Sequence, residues 1–408
     1  MLLAWRNIWR KRWRSLLTIS AVVVVVYLTL LQFSFSGAAE NAMYRSLIES
    51  SGHIQIHVQG YRDLREFADG LLRDADDLRA QLEAVSYEAG QPPQIVATLE
   101  APGLLEGEGR ARGVLLQGID QPAAIQQRFA ERYLEAGSLP EADDLEGIAL
   151  GVRLARALQV AIGDVVYLYA PGTEGYGAAA YEVRGLVSLP GSEGMALTSL
   201  AAAQELAAPG AVSRFSLHFD DGRPLSTEAQ QARKQHLIAA LSWQGLELET
   251  WDEVNPDMAA YLEMMPTITQ VFALIFFVLA GLLVMNTVYL SIIERVREFG
   301  VIMALGAARR KVFVMVLSES VLLCSVGALV GVALGLGHIA LMAQGVEIPG
   351  TQDLFAELGL PSVLYPSVRN SDVLLTALFS FGTGVLAALF PAWTAGKLVP
   401  VEAMRFAA

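Results

Sequence analysis

The chain has 408 residues, of which 53% are hydrophobic and 17% are charged, with a formal net charge of −13. This composition is too apolar for an ordinary soluble protein, and its acidic balance argues against nucleic acid as a partner, because binding phosphates requires a basic face. The single cysteine, Cys324, rules out an intrachain disulfide.

The N-terminal segment, residues 1–15, predicts an amphipathic helix on the cytoplasmic surface of a membrane. Its tryptophans and arginines each recur every four residues, which suits a helix lying among lipid headgroups. These residues are Trp5, Trp9, Trp13, Arg6, Arg10 and Arg14.

Residues 15–39 carry no charge, and an apolar run of this length predicts a first transmembrane helix at 16–37. The same run, with small residues at 37–39, also resembles a cleaved signal peptide. Because the run is longer than a usual signal core, a retained anchor is the favoured interpretation.

Residues 38–265 are expected to form an α+β domain, with two lobes and residues 95–190 inserted into a lobe made from both ends. Period-two alternation predicts strands and helical spacing predicts helices. A Glu-Gly-Glu-Gly stretch at 106–109 predicts a hairpin turn. The predicted strands are 53–59, 95–105, 112–119, 165–169, 180–187, 213–219 and 246–250, and the predicted helices are 62–85, 123–134, 152–158, 200–207 and 227–241.

His53 and His57 lie on one face of the first predicted strand. A metal site and a solvated polar face are both open interpretations. Neither cysteines nor clustered acids accompany the pair, so the polar face is favoured and no metal is expected.

Three further apolar runs, interrupted only by Glu319 and His338, predict the remaining transmembrane helices. The third run has three glycines on one helix face, and small residues permit close helix packing in lipid. Asn286 in the second run is interpreted as a helix-packing residue rather than a substrate contact. Glu319 requires pairing, water or snorkelling toward the cytoplasm, and snorkelling is favoured. The helices are predicted at 266–293, 312–346 and 373–396, and the glycines are Gly327, Gly331 and Gly335.

The charges are segregated along the chain. Residues 38–265 hold 34 Asp/Glu against 16 Lys/Arg, and 347–372 hold four Asp/Glu against Arg369 alone, whereas Lys and Arg dominate 1–15, 294–311 and 397–408. Because Lys and Arg mark cytoplasmic loops, the segments 1–15, 294–311 and 397–408 are expected in the cytoplasm, and 38–265 and 347–372 outside. The expected fold is an α-helical membrane protein with four transmembrane helices and an α+β extracytoplasmic domain inserted between helices 1 and 2.

Several catalytic motifs are missing from the sequence. None of its four lysines precedes Ser or Thr, which excludes a phosphate-binding P-loop, and neither a zinc-protease helix nor a serine nucleophile elbow occurs. The chain is therefore not expected to be an enzyme or to bind a cofactor.

Residues 294–323 resemble the MacB/LolC/FtsX-type permeases, also called type VII ABC transporters. The family pattern is matched at Arg297, Glu298, Gly300, Ala304, Leu305, Gly306 and Ala307, with departures at Phe299 and Met303. Glu319 with the glycines that follow, the Phe390–Arg405 segment and the Ile148–Val166 segment resemble further family signatures. The resemblance implies that a coupling helix in 294–311 docks on an ATPase, through Arg295, Arg297, Glu298, Phe299, Gly300, Val301, Ala304, Leu305 and Gly306.

The resemblance also implies partners and a location. The expected assembly contains a cytoplasmic ABC ATPase dimer, which binds ATP and Mg, and a second permease copy or paralogue. The chain is expected to be a multi-pass protein of the inner membrane, in contact with lipids, with its large domain in the periplasm. Its layout is most similar to that of the lipoprotein-releasing permeases.

That similarity implies extraction of a lipoprotein or lipid-like substrate by mechanotransmission. Two alternatives stay open. One is the permease of a tripartite efflux pump with a periplasmic adaptor or acceptor protein. The other is a signal transmitter that activates a cell-wall hydrolase.

Overall fold

The computed structural model describes residues 12–64, 66–87, 92–173, 175–188, 194–219, 227–241, 245–347, 350 and 363–397. Nearly all of the predicted segments 1–15 and 397–408 lies outside these residues. The chain divides into two compact units. The helical unit comprises Met1–Glu40, Leu262–Glu347 and Val363–Ala408, and the sheet unit comprises Asn41–Tyr261 and Ile348–Ser362.

The described residues contain the following helices and strands. The α-helices are α1 (Arg12–Ser51), α2 (Ala75–Ala84), α3 (Ala123–Tyr133), α4 (Val152–Leu158), α5 (Leu200–Ala207), α6 (Thr227–Ala240), α7 (Trp251–Val254), α8 (Pro256–Glu294), α9 (Val296–Ala304), α10 (Arg309–Leu341) and α11 (Asn370–Gly396). The strands are β1 (Ile54–Val58), β2 (Gln94–Gly107), β3 (Arg110–Asp120), β4 (Leu134–Gly137), β5 (Gly147–Gly151), β6 (Val165–Gly172), β7 (Gly175–Val187), β8 (Met195–Ser199), β9 (Arg214–His218), β10 (Leu246–Thr250), β11 (Val346–Glu347) and β12 (Val363–Leu364).

Four helices of the described chain are long and apolar enough to cross a membrane: α1, α8, α10 and α11. One stripe of each helix is buried against its neighbours. On α8 this stripe includes Ala273, Phe277 and Val284, whereas leucines such as Leu279 and Leu282 on other faces are more than half exposed. Apolar side chains exposed along such helices are the arrangement expected for contact with lipid.

The predicted orientation can be tested by labelling single cysteines. On a Cys324→Ser background, Tyr176→Cys in the sheet unit, where Tyr176 is 90% exposed, should react with an impermeant maleimide added to intact cells. Ala308→Cys, exposed beside α9, should react only after the cells are opened. Labelling of Ala308→Cys in intact cells would contradict the predicted orientation.

The ten strands of the sheet unit pair in the order β10-β1-β9-β2-β3-β8-β5-β7-β4, and β6 pairs with both β2 and β7. Six strands therefore form a closed ring, β2-β3-β8-β5-β7-β6. Helix α5 contacts five of these six strands. Closure through β6 leaves the ring without a free sheet edge.

Two apolar cores lie in this unit. One, around Leu105, Leu150 and Val183, belongs to the ring, and the other, around Ile56 and Phe215, lies between β1, β9 and the helices α2 and α6. Because a single sheet connects the two cores, the division into two lobes remains a prediction.

The predicted hairpin is present as the β2–β3 pair, with Gly107 opposite Arg110. Its two central residues, Glu108 and Gly109, have φ angles of 51° and 72°. Positive φ at both positions is typical of the type I′ turn that suits the twist of paired strands.

The predicted helix 62–85 is wrong over its first half. The chain forms short 3-10 turns at Tyr61–Asp63 and Phe67–Gly70, and only α2 is α-helical. Leu72 pairs with Val212 in an isolated β-bridge. Successive side chains of extended backbone point to opposite sides, which places Leu71 in one core and Leu72 in the other.

The polar face of β1 is buried, so the predicted solvated face is also wrong. Strand β1 lies between β10 and β9, and His57 is only 2% exposed. Its Nε2 lies 2.8 Å from Glu249 Oε2 and its Nδ1 lies 3.0 Å from the Val58 oxygen. Both ring nitrogens are thus engaged, and no group of three His, Cys, Asp or Glu side chains among the described residues could hold a metal ion.

Candidate functional site

Helix α9 connects α8 to α10 and has two distinct faces. Val296, Phe299 and Met303 are buried in the core of the helical unit, because a spacing of three to four residues places them on one side. The opposite side carries Arg297, Val301, Ala304 and Leu305, all exposed. We call these four residues the docking face.

The docking face is apolar at its centre. Val301 is 44% exposed and Leu305 is 84% exposed, one turn apart. Arg297 and Glu298 lie at its N-terminal end. A short apolar stripe beside charged residues is the arrangement by which an amphipathic helix enters a groove on another protein.

The end of α9 is closed by a Schellman motif. Gly306 has a φ of 93°, its N–H donates to the Met303 oxygen, and the N–H of Ala307 donates to the Ile302 oxygen. Glycine is favoured here because the left-handed conformation strains any residue with a Cβ. The motif ends the helix directly after Leu305.

Arg295 links the start of α9 to α10. Its guanidinium lies 2.9 Å from Glu319 Oε2 and 3.2 Å from Glu298 Oε2, and 5.1 Å above the Phe299 ring. The Arg295 and Glu319 side chains are only 11% and 17% exposed. Glu319 is therefore held by an ion pair, whereas the sequence analysis favoured snorkelling.

An open cleft of about 110 Å³ adjoins this ion pair. Hydroxyl and carboxylate groups from α1, α8 and α10 line it together with Phe299. Ser15, Ser291 and Ser320 line this cleft together with Arg295. The predicted site residues Glu298 and Glu319 line it as well, so they share one polar region of the helical unit.

The three glycines of α10 lie against α1. A Cβ added at Gly327 or Gly331 would lie 2.8 Å from the Cβ of Val22 or Val26, and one at Gly335 would lie 2.9 Å from Leu30 Cδ1. These distances are shorter than real Cβ contacts, so the two helices can approach this closely only without side chains there. We call these three residues the glycine face.

Asn286 is exposed on α8, so its predicted packing role is wrong within this chain. The buried stripe of α8 passes through Val284 and Val288. Residues two positions apart on a helix point in nearly opposite directions, so Asn286 points away from this stripe.

A polar contact that the sequence analysis did not find joins α1 to α10. Tyr27 Oη lies 2.5 Å from His338 Nδ1, and the two rings stack. The partners are 311 residues apart in the chain, so no local pattern relates them.

Comparison with known proteins gives a family match. Residues 270–400 match the family model described as FtsX-like permease C-terminal. The uncharacterized ABC transporter permease YknZ of Bacillus subtilis is 33% identical over 187 residues, covering 46% of this chain and 42% of YknZ. The macrolide export ATP-binding/permease protein MacB of Hyphomonas neptunium is 24% identical over 98% of this chain and 60% of MacB.

The chain thus covers less than two thirds of the length of either relative. The crystal structure of the periplasmic region of MacB from Actinobacillus actinomycetemcomitans has a TM-score of 0.35 and 16% identity, covering 52% of this chain and 95% of that one. A likeness this low does not establish a shared fold. The sequence matches confirm the predicted resemblance to the MacB/FtsX-type permeases, and residues 270–400 match the FtsX-like permease C-terminal family model.

Proposed function

We propose that this chain is the permease subunit of an ATP-driven ABC transporter, and that the docking face of α9 binds a separate ATPase subunit. The observation that carries the proposal is the exposure of Val301 and Leu305 beside Arg297. A contiguous exposed apolar patch rimmed by polar residues is typical of an interaction site. The relatives support the partner class, because they are named ABC transporter permease and ATP-binding/permease protein.

The contacts of Arg295 provide a route by which docking acts on the membrane helices. The ion pair to Glu319 joins the start of α9 to α10, and the glycine face joins α10 to α1. A displacement of α9 would therefore be transmitted to both helices through packed, paired groups. In this proposal ATP and Mg bind to the partner subunit, which hydrolyses ATP.

The proposed substrate is an amphipathic molecule, of the lipoprotein or lipid class, taken from the outer side of the inner membrane. The second candidate is macrolide-type efflux, favoured by the relatives named macrolide export protein. Loading one face of a reconstituted vesicle with a lipopeptide or with a macrolide, and measuring ATP-dependent release, separates the two candidates.

The docking proposal is tested by comparing two leucine substitutions. Leu305→Asp should lower affinity for the ATPase subunit by about tenfold or more, since truncating a hot-spot residue at the centre of an interface costs about 2 kcal/mol or more. The matched control is Leu341→Asp, at the end of α10 that is far from α9, where the leucine is 80% exposed. This substitution should leave the affinity for the ATPase subunit unchanged. The measurement is co-purification and ATPase activity of the reconstituted complex. Equal effects of the two substitutions would contradict the proposal.

A further inference from the structure

The sheet unit contains a cavity of about 380 Å³. This cavity has no part in the proposed ATPase docking or in the packing of the helical unit. Cavities of roughly 300–1,000 Å³ with mostly apolar walls and a few polar groups are typical ligand sites. The residues that line this cavity all belong to the sheet unit.

The floor of the cavity is one face of the sheet. Strand register places Arg214 opposite Thr98 and Thr98 opposite Ile119, and Gln117 opposite Leu197. Side chains on this face therefore change from polar on β9, through mixed polar and apolar on β2 and β3, to apolar on β8. The floor is amphipathic along its length.

Helices α1 and α3 provide the walls. Met43 and Leu47 of α1 and Ile125 and Phe129 of α3 line the cavity, and each pair is spaced by four residues on one helix face. Met258 lies at the edge and is 42% exposed. These apolar faces of α1 and α3 do not pack directly onto the sheet, and the cavity lies between them and the strands.

A polar latch joins the two wall helices. Arg132 of α3 lies 2.6 Å from Glu49 of α1, and Tyr133 Oη donates to the same carboxylate at 3.2 Å. The negative charge of Glu49 is thus neutralised by its own neighbours and is not available for a ligand.

Arg214 is the cation with spare hydrogen-bonding capacity in the cavity. Its Nη1 lies 2.6 Å from Glu100, and that carboxylate also accepts from Gln117 at 2.8 Å and Tyr61 at 3.2 Å. Within the described chain, the buried Nε of Arg214 has no hydrogen-bond partner. A buried guanidinium N–H without an acceptor is costly, and because Arg214 lines the cavity, a small rotation of its guanidinium would let a ligand oxygen satisfy it.

The other titratable group in the floor adds no positive charge. Burial lowers the pKa of His218 to about 3, so its imidazole is neutral at physiological pH. The polar end of the cavity thus has one cation, Arg214, whose charge is paired with Glu100 but whose hydrogen-bond donors are incompletely used, and the opposite end is apolar.

We propose that this cavity binds a single medium-chain carboxylate, with its apolar chain between α1, α3 and β8 and its carboxylate oxygens at Arg214. The site goes beyond the transport proposal, because binding needs neither ATP nor a partner subunit. Loss of binding and loss of ATPase docking are therefore distinguishable.

The test uses the full-length chain in phosphatidylcholine nanodiscs and a dodecanoic acid probe with a terminal diazirine. Photolabelling should be saturable, should map by mass spectrometry to α1 residues 43–50 or α3, and should be displaced by unlabelled dodecanoate. Dodecyltrimethylammonium should compete at least tenfold more weakly, because its head is a cation without an acceptor.

Two variants test the location of the site. Met258→Trp at the rim, which leaves the folded interior untouched, and Leu197→Trp in the floor should each reduce saturable labelling about tenfold. The control Leu145→Trp, at an exposed position outside the cavity, should not. Labelling that is unsaturable, that maps only to the membrane helices, that persists in both cavity variants, or that is displaced equally by dodecyltrimethylammonium would overturn the proposal.

Discussion

Replacing Gly331 by leucine is expected to separate α10 from α1 and to destabilise the helical unit. The substituted Cβ would lie 2.8 Å from Val26 Cβ and 3.0 Å from the Val23 oxygen, and backbone cannot yield as a flexible side chain can. Overpacking of this kind costs about 1–3 kcal/mol or more. The thermal unfolding midpoint of the detergent-solubilised protein should fall by roughly 5–10 °C, with loss of ATP-coupled transport.

The matched control lies on the same helix. Gly337 is exposed, and a Cβ added there meets nothing within 4 Å. Gly337→Leu should keep the wild-type midpoint and activity, although it adds the same side chain to α10. A normal midpoint in Gly331→Leu would mean that α1 and α10 do not pack through the glycine face.

Reversing the charge of Arg295 is the second substitution with a large expected effect. Arg295→Glu leaves Glu319, which is only 17% exposed, facing like charges instead of its partner. Breaking a buried ion pair in this way typically costs about 3–5 kcal/mol. We expect a lower unfolding midpoint and ATP hydrolysis uncoupled from transport.

Two further variants show whether loss of the Arg295–Glu319 ion pair causes the lower midpoint and the uncoupling. The exchanged pair Arg295→Glu with Glu319→Arg should recover most of the lost stability, because the ion pair forms again with opposite polarity. Arg297→Glu, at an exposed position of the docking face, should keep the midpoint and weaken only ATPase binding. If the exchanged pair is no more stable than Arg295→Glu alone, the proposed link between α9 and α10 is wrong.

Local patterns in the sequence predicted much of the secondary structure. Helices 152–158 and 200–207 and strand 246–250 have the predicted bounds, since apolar spacing and turn residues delimit them within a few positions. The error at 62–85 arose because its apolar residues fit a helical spacing without sharing one core. Leu71 belongs to the ring core, against which Phe67 packs, and Leu78 belongs to the other core, whereas Leu64 is 37% exposed. Strand β5 was not predicted as a strand, because its residues are buried on both faces and lack alternation.

Long-range pairings could not be predicted in the same way. Closure of the ring requires β6 to pair with β2 about 60 positions away, and alternation within β6 is the same for any partner strand. The packing face of α10 was visible as a glycine repeat, but its partner α1 was not. Arg295 and Glu319 were both identified as site residues, whereas their ion pair depends on the turn between α9 and α10.

The central claim is that the docking face of α9 binds the ATPase subunit, and photocrosslinking tests it most directly. A photoreactive amino acid placed at position 305 in the assembled complex should crosslink to the ATPase subunit, as should one at 301. The same group at buried Phe299 or at Leu341 should not. Crosslinks from 305 that reach only lipid or other parts of the permease, in a complex that still hydrolyses ATP, would contradict the claim.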